Sequence, residues 1–179
     1  LVWLLALWYL SAPTLRQLPQ HLVLHSLLEG LAIVIAALVF AVGWNACRMN
    51  TQRNVLLLAS GFLGVALLDA AHTLSYQGMP DFVSPNSVAK GILFWLPARY
   101  LAALVLLLAI LVPWRTLQPG AMPKRERWGL LALVLTGVAL VHVLVIFFAG
   151  ALPLVYVPPA GLTDFKIVVE YGVVALHLL

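Results

Sequence analysis

Charged residues are scarce in this sequence: they make up 9% of 179 residues, against 64% hydrophobic, and the mean hydropathy is +1.06. Soluble domains carry about 25% charged residues, so a globular protein living in water is excluded. Cysteine is nearly absent as well. The single Cys47 excludes an internal disulfide framework and an all-thiolate metal site. No GxSxG, P-loop, HExxH or CxxC occurs, and this stretch of chain is expected to carry no catalysis of its own. The opening residues from Leu1 have neither a basic flank nor a small-residue cleavage site, which argues against a cleaved signal peptide. No internal repeat is present.

What the chain does have is apolar runs of the length that an α-helix needs to cross a hydrocarbon core of about 30 Å, roughly 20 residues, and no alternating strands of roughly 10. The expected fold is all-α, a polytopic transmembrane helical bundle solvated by the lipid bilayer. Its segments are expected at 1–12, 20–46, 54–75, 90–114, 127–152 and 164–179 within one domain, 1–179, cut at both ends from something longer. Proline, glycine and asparagine punctuate the boundaries, among them Pro13, Pro19, Gly78-Met79-Pro80, Pro119 and Pro153. The net charge of +4 and pI near 9.6 come from ten Lys and Arg set between hydrophobic runs, so no nucleic-acid partner is expected. Loops 47–53 and 115–127 hold Arg48, Arg53, Arg115, Lys124, Arg125 and Arg127, whereas the alternate loops hold Arg16 and Lys90. Basic residues stay preferentially on the cytoplasmic side, which places the first two loops there.

A charged side chain near the centre of a membrane helix costs about 2.5–3.5 kcal/mol on insertion scales, and those that remain commonly mark function. Here they fall in same-face pairs: His25 with Glu29, Asp69 with His72, Trp95 with Arg99 and Lys166 with Glu170, spaced three or four residues apart. His142 is alone on its helix. With the orientation above, all of them sit at similar depth in the outer half of the bundle. They admit several chemistries. His25, His72 and His142, with Glu29 or Asp69, are of the type that ligates a transition metal, while His21 reads as an interfacial hydrogen-bonding residue. The same histidines are suited to be axial ligands of haem, and His177 is expected to serve neither. Histidine beside carboxylate also suits a proton relay. The plain alternative is that these groups glue helices together. A transporter is disfavoured because the inner halves of the helices are almost wholly apolar. Trp44, Trp114 and Trp128 read as interfacial anchors, Asn45 as a polar cap, and Gly30, Gly61, Gly64 and Ala71 as sites of close helix approach.

Taken in order, Glu29, Trp44-Asn45, the stretch Leu68-Asp69-Ala70-Ala71-His72-Thr73-Leu74-Ser75-Tyr76-Gln77-Gly78-Met79, Trp95 with Ala98-Arg99-Tyr100, and Gly161-Leu162-Thr163 with Lys166 and Glu170-Tyr171 resemble a bacterial family. The family is the third class of MASE domains, the membrane-associated sensors, and the resemblance spans about 20–175. It implies a multi-pass input domain in the bacterial cytoplasmic (inner) membrane, fused to cytoplasmic output modules such as a histidine kinase or a diguanylate cyclase and working as a homodimer. It raises the expectation of a sensory site for a small ligand, ion or proton, built from Glu29, Asp69, His72, Trp95, Arg99, Lys166 and Glu170. The stretch Pro80 to Asn86 is shorter than the family's pattern, which lowers the expected share of that loop in a site.

Overall fold

A computed structural model describes residues 21–49, 52–112 and 123–178, apart from the side chains of His21, Arg48 and Met49. The segment expected at 1–12, together with Arg16, Trp114 and Arg115, lies outside the described residues. Five α-helices make up most of what is described: α1 (His21–Met49), α2 (Arg53–Leu74), α3 (Val88–Leu111), α4 (Lys124–Phe147) and α5 (Asp164–Leu178). The fold is the all-α bundle that the apolar runs imply, and α1 to α4 are each long and apolar enough to cross a membrane.

Two of the helices, α3 and α5, start where a side chain serves the first amide groups. The Ser87 hydroxyl accepts from the Lys90 amide at 3.1 Å to begin α3, and the Thr163 hydroxyl accepts from the Lys166 amide at 3.3 Å to begin α5. The largest departure from the expected boundaries is at the end of α4. Helix was expected to 152, but α4 stops at Phe147 and a single 3-10 turn, Ala149–Ala151, follows. Gly150 weakens the helix there, and Pro153 lacks the amide that a further turn would use. The chain then forms a small antiparallel hairpin, β1 (Tyr156–Val157) with β2 (Gly161–Leu162), in a stretch that reads from sequence as loop.

Contacts at the helix ends set the course of the chain. Arg53 pairs with Glu126 at 2.8 Å, and the Arg127 guanidinium lies 3.9 Å from the Trp44 ring centroid and donates to the Trp44 carbonyl at 3.2 Å. Trp128 closes on Trp44 at 5.2 Å. The end of α1 and the starts of α2 and α4 therefore share one end of the bundle. Asn54 brings the end of α3 to the same place: fully buried, its amide donates to the carbonyls of Ala109 at 2.7 Å and Val112 at 2.6 Å. Those are last-turn carbonyls, which have no acceptor duty inside their own helix. Replacing Asn54 with Leu strands them, with an expected loss of about 1–3 kcal/mol seen as a lower thermal midpoint in detergent. Asn45→Leu should change little, because the Asn45 amide bonds only the Ala41 carbonyl of its own helix.

α2 is the centre of the bundle: it packs against α1, α3 and α4, and α5 packs against α3. The buried core joins α2, α3 and α4 through Leu68, Ala71, Phe94, Ala98, Val138 and Val145. Glycine makes the crossings close. A Cβ at Gly64 would stand 2.7 Å from both Leu101 Cδ2 and Val134 Cγ1, one at Gly61 would run into Val105, and one at Gly43 would stand 2.9 Å from Ala59 Cβ. Gly30 does not belong with them: a Cβ there has nothing within 4 Å. The reason is that α1 touches the bundle along a narrow strip and exposes Val23, Leu27, Leu31 and Val42 to what surrounds it.

Candidate functional site

α2 carries two polar residues three positions apart, and they face different neighbours. His72, 7% exposed, looks toward α1, where the ligating atoms of His25, Glu29 and His72 all lie within 4.8 Å of one another. The rings of His25 and His72 are 5.8 Å apart and nearly perpendicular, and Tyr76, one turn on, packs on His25 at 4.4 Å. Asp69, 2% exposed, looks toward α3, where Arg99 Nη2 bonds both of its carboxylate oxygens. Arg99 Nε is left without an acceptor among the described residues.

From Arg99 the polar path continues to α5 across one aromatic ring. Trp95 stands a turn before Arg99, with the guanidinium 6.0 Å from its ring centroid and the Lys166 ammonium 5.6 Å from it. Both distances are within reach of cation–π attraction. Lys166 is 8% exposed and forms an ion pair with Glu170, one turn along α5. The neighbouring Tyr100 hydroxyl donates to the Val169 carbonyl at 2.7 Å and abuts Gly172, where a Cβ would come within 2.5 Å of it. The sequence-predicted residues thus line up as a chain in two parts that share α2: Glu29 and His25 on α1 with His72 on α2, and Asp69 on α2 with Arg99 and Trp95 on α3 and Lys166 and Glu170 on α5.

Four helices share this chain, and α4 does not join it through His142. That histidine, expected beside His25 and His72, packs its ring on Phe94 at 5.0 Å and donates from Nδ1 to the Val138 carbonyl of its own helix at 2.8 Å. His177 likewise bonds the Val173 carbonyl of its own helix at 2.9 Å. The described residues whose ligating atoms lie close enough together to hold a metal ion are His25, Glu29 and His72.

Sequence reasoning missed three participants. Lys90 reads as a loop charge, yet it is 6% exposed and gathers the 80–86 stretch around its ammonium, donating to the carbonyls of Phe82 at 2.7 Å and Ser84 at 2.9 Å and to Asn86 Oδ1 at 3.1 Å. Asn86 ties that stretch to α2 by donating to the carbonyls of Leu74 and Pro80 at 2.8 and 2.9 Å. Gly91 supplies the carbonyl that fixes His72, whose Nδ1 lies 2.8 Å from it. A lysine three residues after a serine at a helix start was the available signal for the first. Asn86 acts through its side-chain amide from a loop that reads as solvated, and Gly91 acts through its backbone carbonyl, which leaves no trace in side-chain identity.

Residues 16–179 match the family model of the MASE3 membrane-associated sensor domain. The chain belongs to this family. The family is one of membrane-associated sensor domains, and the four helices long and apolar enough to cross a membrane fit a multi-pass member of it. No curated protein and no solved structure matches the chain. In this MASE3 domain the paired charges gather in two groups that share α2, and the second group ends on α5.

Proposed function

We propose that this MASE3 domain is the input half of a bacterial signalling protein of the cytoplasmic membrane. A small ligand, an ion or a proton acts on the polar chain across α1, α2, α3 and α5, and the changed packing of α5 reaches a cytoplasmic histidine kinase or diguanylate cyclase, with two copies of the protein working together. The observation that carries this reading is the Trp95 bridge. It makes the position of α5 depend on the same arginine that neutralises buried Asp69. A signal must bind two packings with different affinity to shift them, and ion pairs shared between helices supply that difference. Arg99 Nε, which meets no acceptor among the described residues, favours a ligand that offers one. The apolar walls elsewhere in the bundle support sensing over transport: a cavity of about 330 Å³ between α2, α3 and α4 is lined by Leu57, Leu101, Leu104 and Val134 among others.

In membranes containing the full-length protein, Arg99→Ala and Lys166→Ala should each shift the basal kinase or cyclase output by about tenfold, the range of ordinary allosteric coupling, while insertion stays normal. Wild-type output from both variants would overturn the reading.

A further inference from the structure

We infer that His25, Glu29 and His72 form a binding site for one divalent first-row transition metal ion, a role that goes beyond the sensory reading above and does not depend on it. Their ligating atoms already lie within 4.8 Å of one another on two adjacent helices. Bonds of about 2.0–2.2 Å to such an ion require only a modest closing of that triangle.

Two independent features point to a metal. The first is the setting of the buried His72 ring. A carbonyl oxygen only accepts, so the contact of Nδ1 with Gly91 O at 2.8 Å puts a hydrogen on Nδ1, and in the neutral ring Nε2 is then the nitrogen that can ligate. An imidazole held this way from behind by a carbonyl is the usual posture of a metal-bound histidine. The second is charge. Among the described residues no lysine or arginine pairs with Glu29, although it stands partly buried on a helix apolar enough to span a membrane. A carboxylate there is expensive, and a cation between it and the two imidazoles offsets the expense.

Two nitrogens and one oxygen suit zinc, iron or cobalt better than calcium or magnesium, which take oxygen ligands. Three protein ligands also leave a coordination position for water or a small external ligand. A filled site would therefore add a tie between α1 and α2 to the packing that already joins them.

The test uses metal-stripped protein purified in detergent and titrated with Co²⁺. Wild type is expected to take one equivalent with a visible d–d band that Zn²⁺ abolishes by displacement. Glu29→Gln and His72→Ala should weaken Co²⁺ binding at least about tenfold, and His142→Ala should bind as wild type does. Glu29→Gln is nearly isosteric, so it decides the matter if His72→Ala fails to fold. Absence of saturable binding in wild type, unchanged binding in Glu29→Gln, or a Soret band in place of ion binding would overturn the inference. None of those results touches the output of Arg99 and Lys166 variants, so the metal site and the sensory reading fail separately.

Discussion

Asp69→Ala is expected to destabilise the domain by about 3–5 kcal/mol, the usual consequence of removing one partner from a buried ion pair. The carboxylate is 2% exposed and both of its oxygens bond Arg99, whose own side chain is 29% exposed. Without Asp69 a guanidinium stays half sunk between α2 and α3 with only the Trp95 ring beside it. The loss is specific to the unpaired charge. Replacing both partners, as Asp69→Leu with Arg99→Leu, should therefore recover most of the stability while abolishing the link to α5. Thermal unfolding in detergent of the two single variants and the double variant checks this. A double variant as unstable as Asp69→Ala would show that the pair organises more than its own charges.

Gly64→Leu should be nearly as damaging. Overfilling a packed site commonly costs about 1–3 kcal/mol, and here even the first added carbon would stand 2.7 Å from side chains of two helices, Leu101 on α3 and Val134 on α4. The methyls of Leu101 and Val134 can turn aside for one carbon, but the three further carbons of leucine must displace more of both, so the effect belongs at the upper end of that range. Gly137→Leu is the matched comparison, since a Cβ at Gly137 meets nothing within 4 Å, and it should unfold close to wild type. Equal midpoints for the two variants would mean that α2 does not hold its neighbours at close range.

The sequence is a good guide to this domain within a helix and a poor one between helices. The approach of His25 to Glu29 and the pair Lys166 with Glu170 follow from residue spacing, because helical geometry is local, whereas Asp69 and His72, three apart, turn to different neighbours. Which carboxylate would meet Arg99 is not local. Glu29 and Asp69 were both candidates, and only the packing of α3 against α2 selects Asp69. The same limit explains His142. Its depth fits the other histidines, but its direction around α4 points it at Phe94. Gly30 and Gly43 exchange importance for a similar reason: both are glycines on α1, and the strip of α1 that touches α2 passes Gly43. Lys90 misleads because a charge near a proline-rich stretch resembles a solvated loop residue, whereas here the loop carbonyls have folded over it.

The hydrogen bond from Tyr100 to the Val169 carbonyl has a property that a bond to a side chain would lack. Every residue of a helix offers a carbonyl, and one turn of travel, about 5.4 Å, would present the tyrosine with an equivalent acceptor. The bond by itself therefore does not fix the register of α5 on α3. What fixes it is the gap at Gly172, which receives the phenol, and Lys166, which rides on Trp95. A side chain at position 172 would thus cost α5 its register before it cost the hydrogen bond.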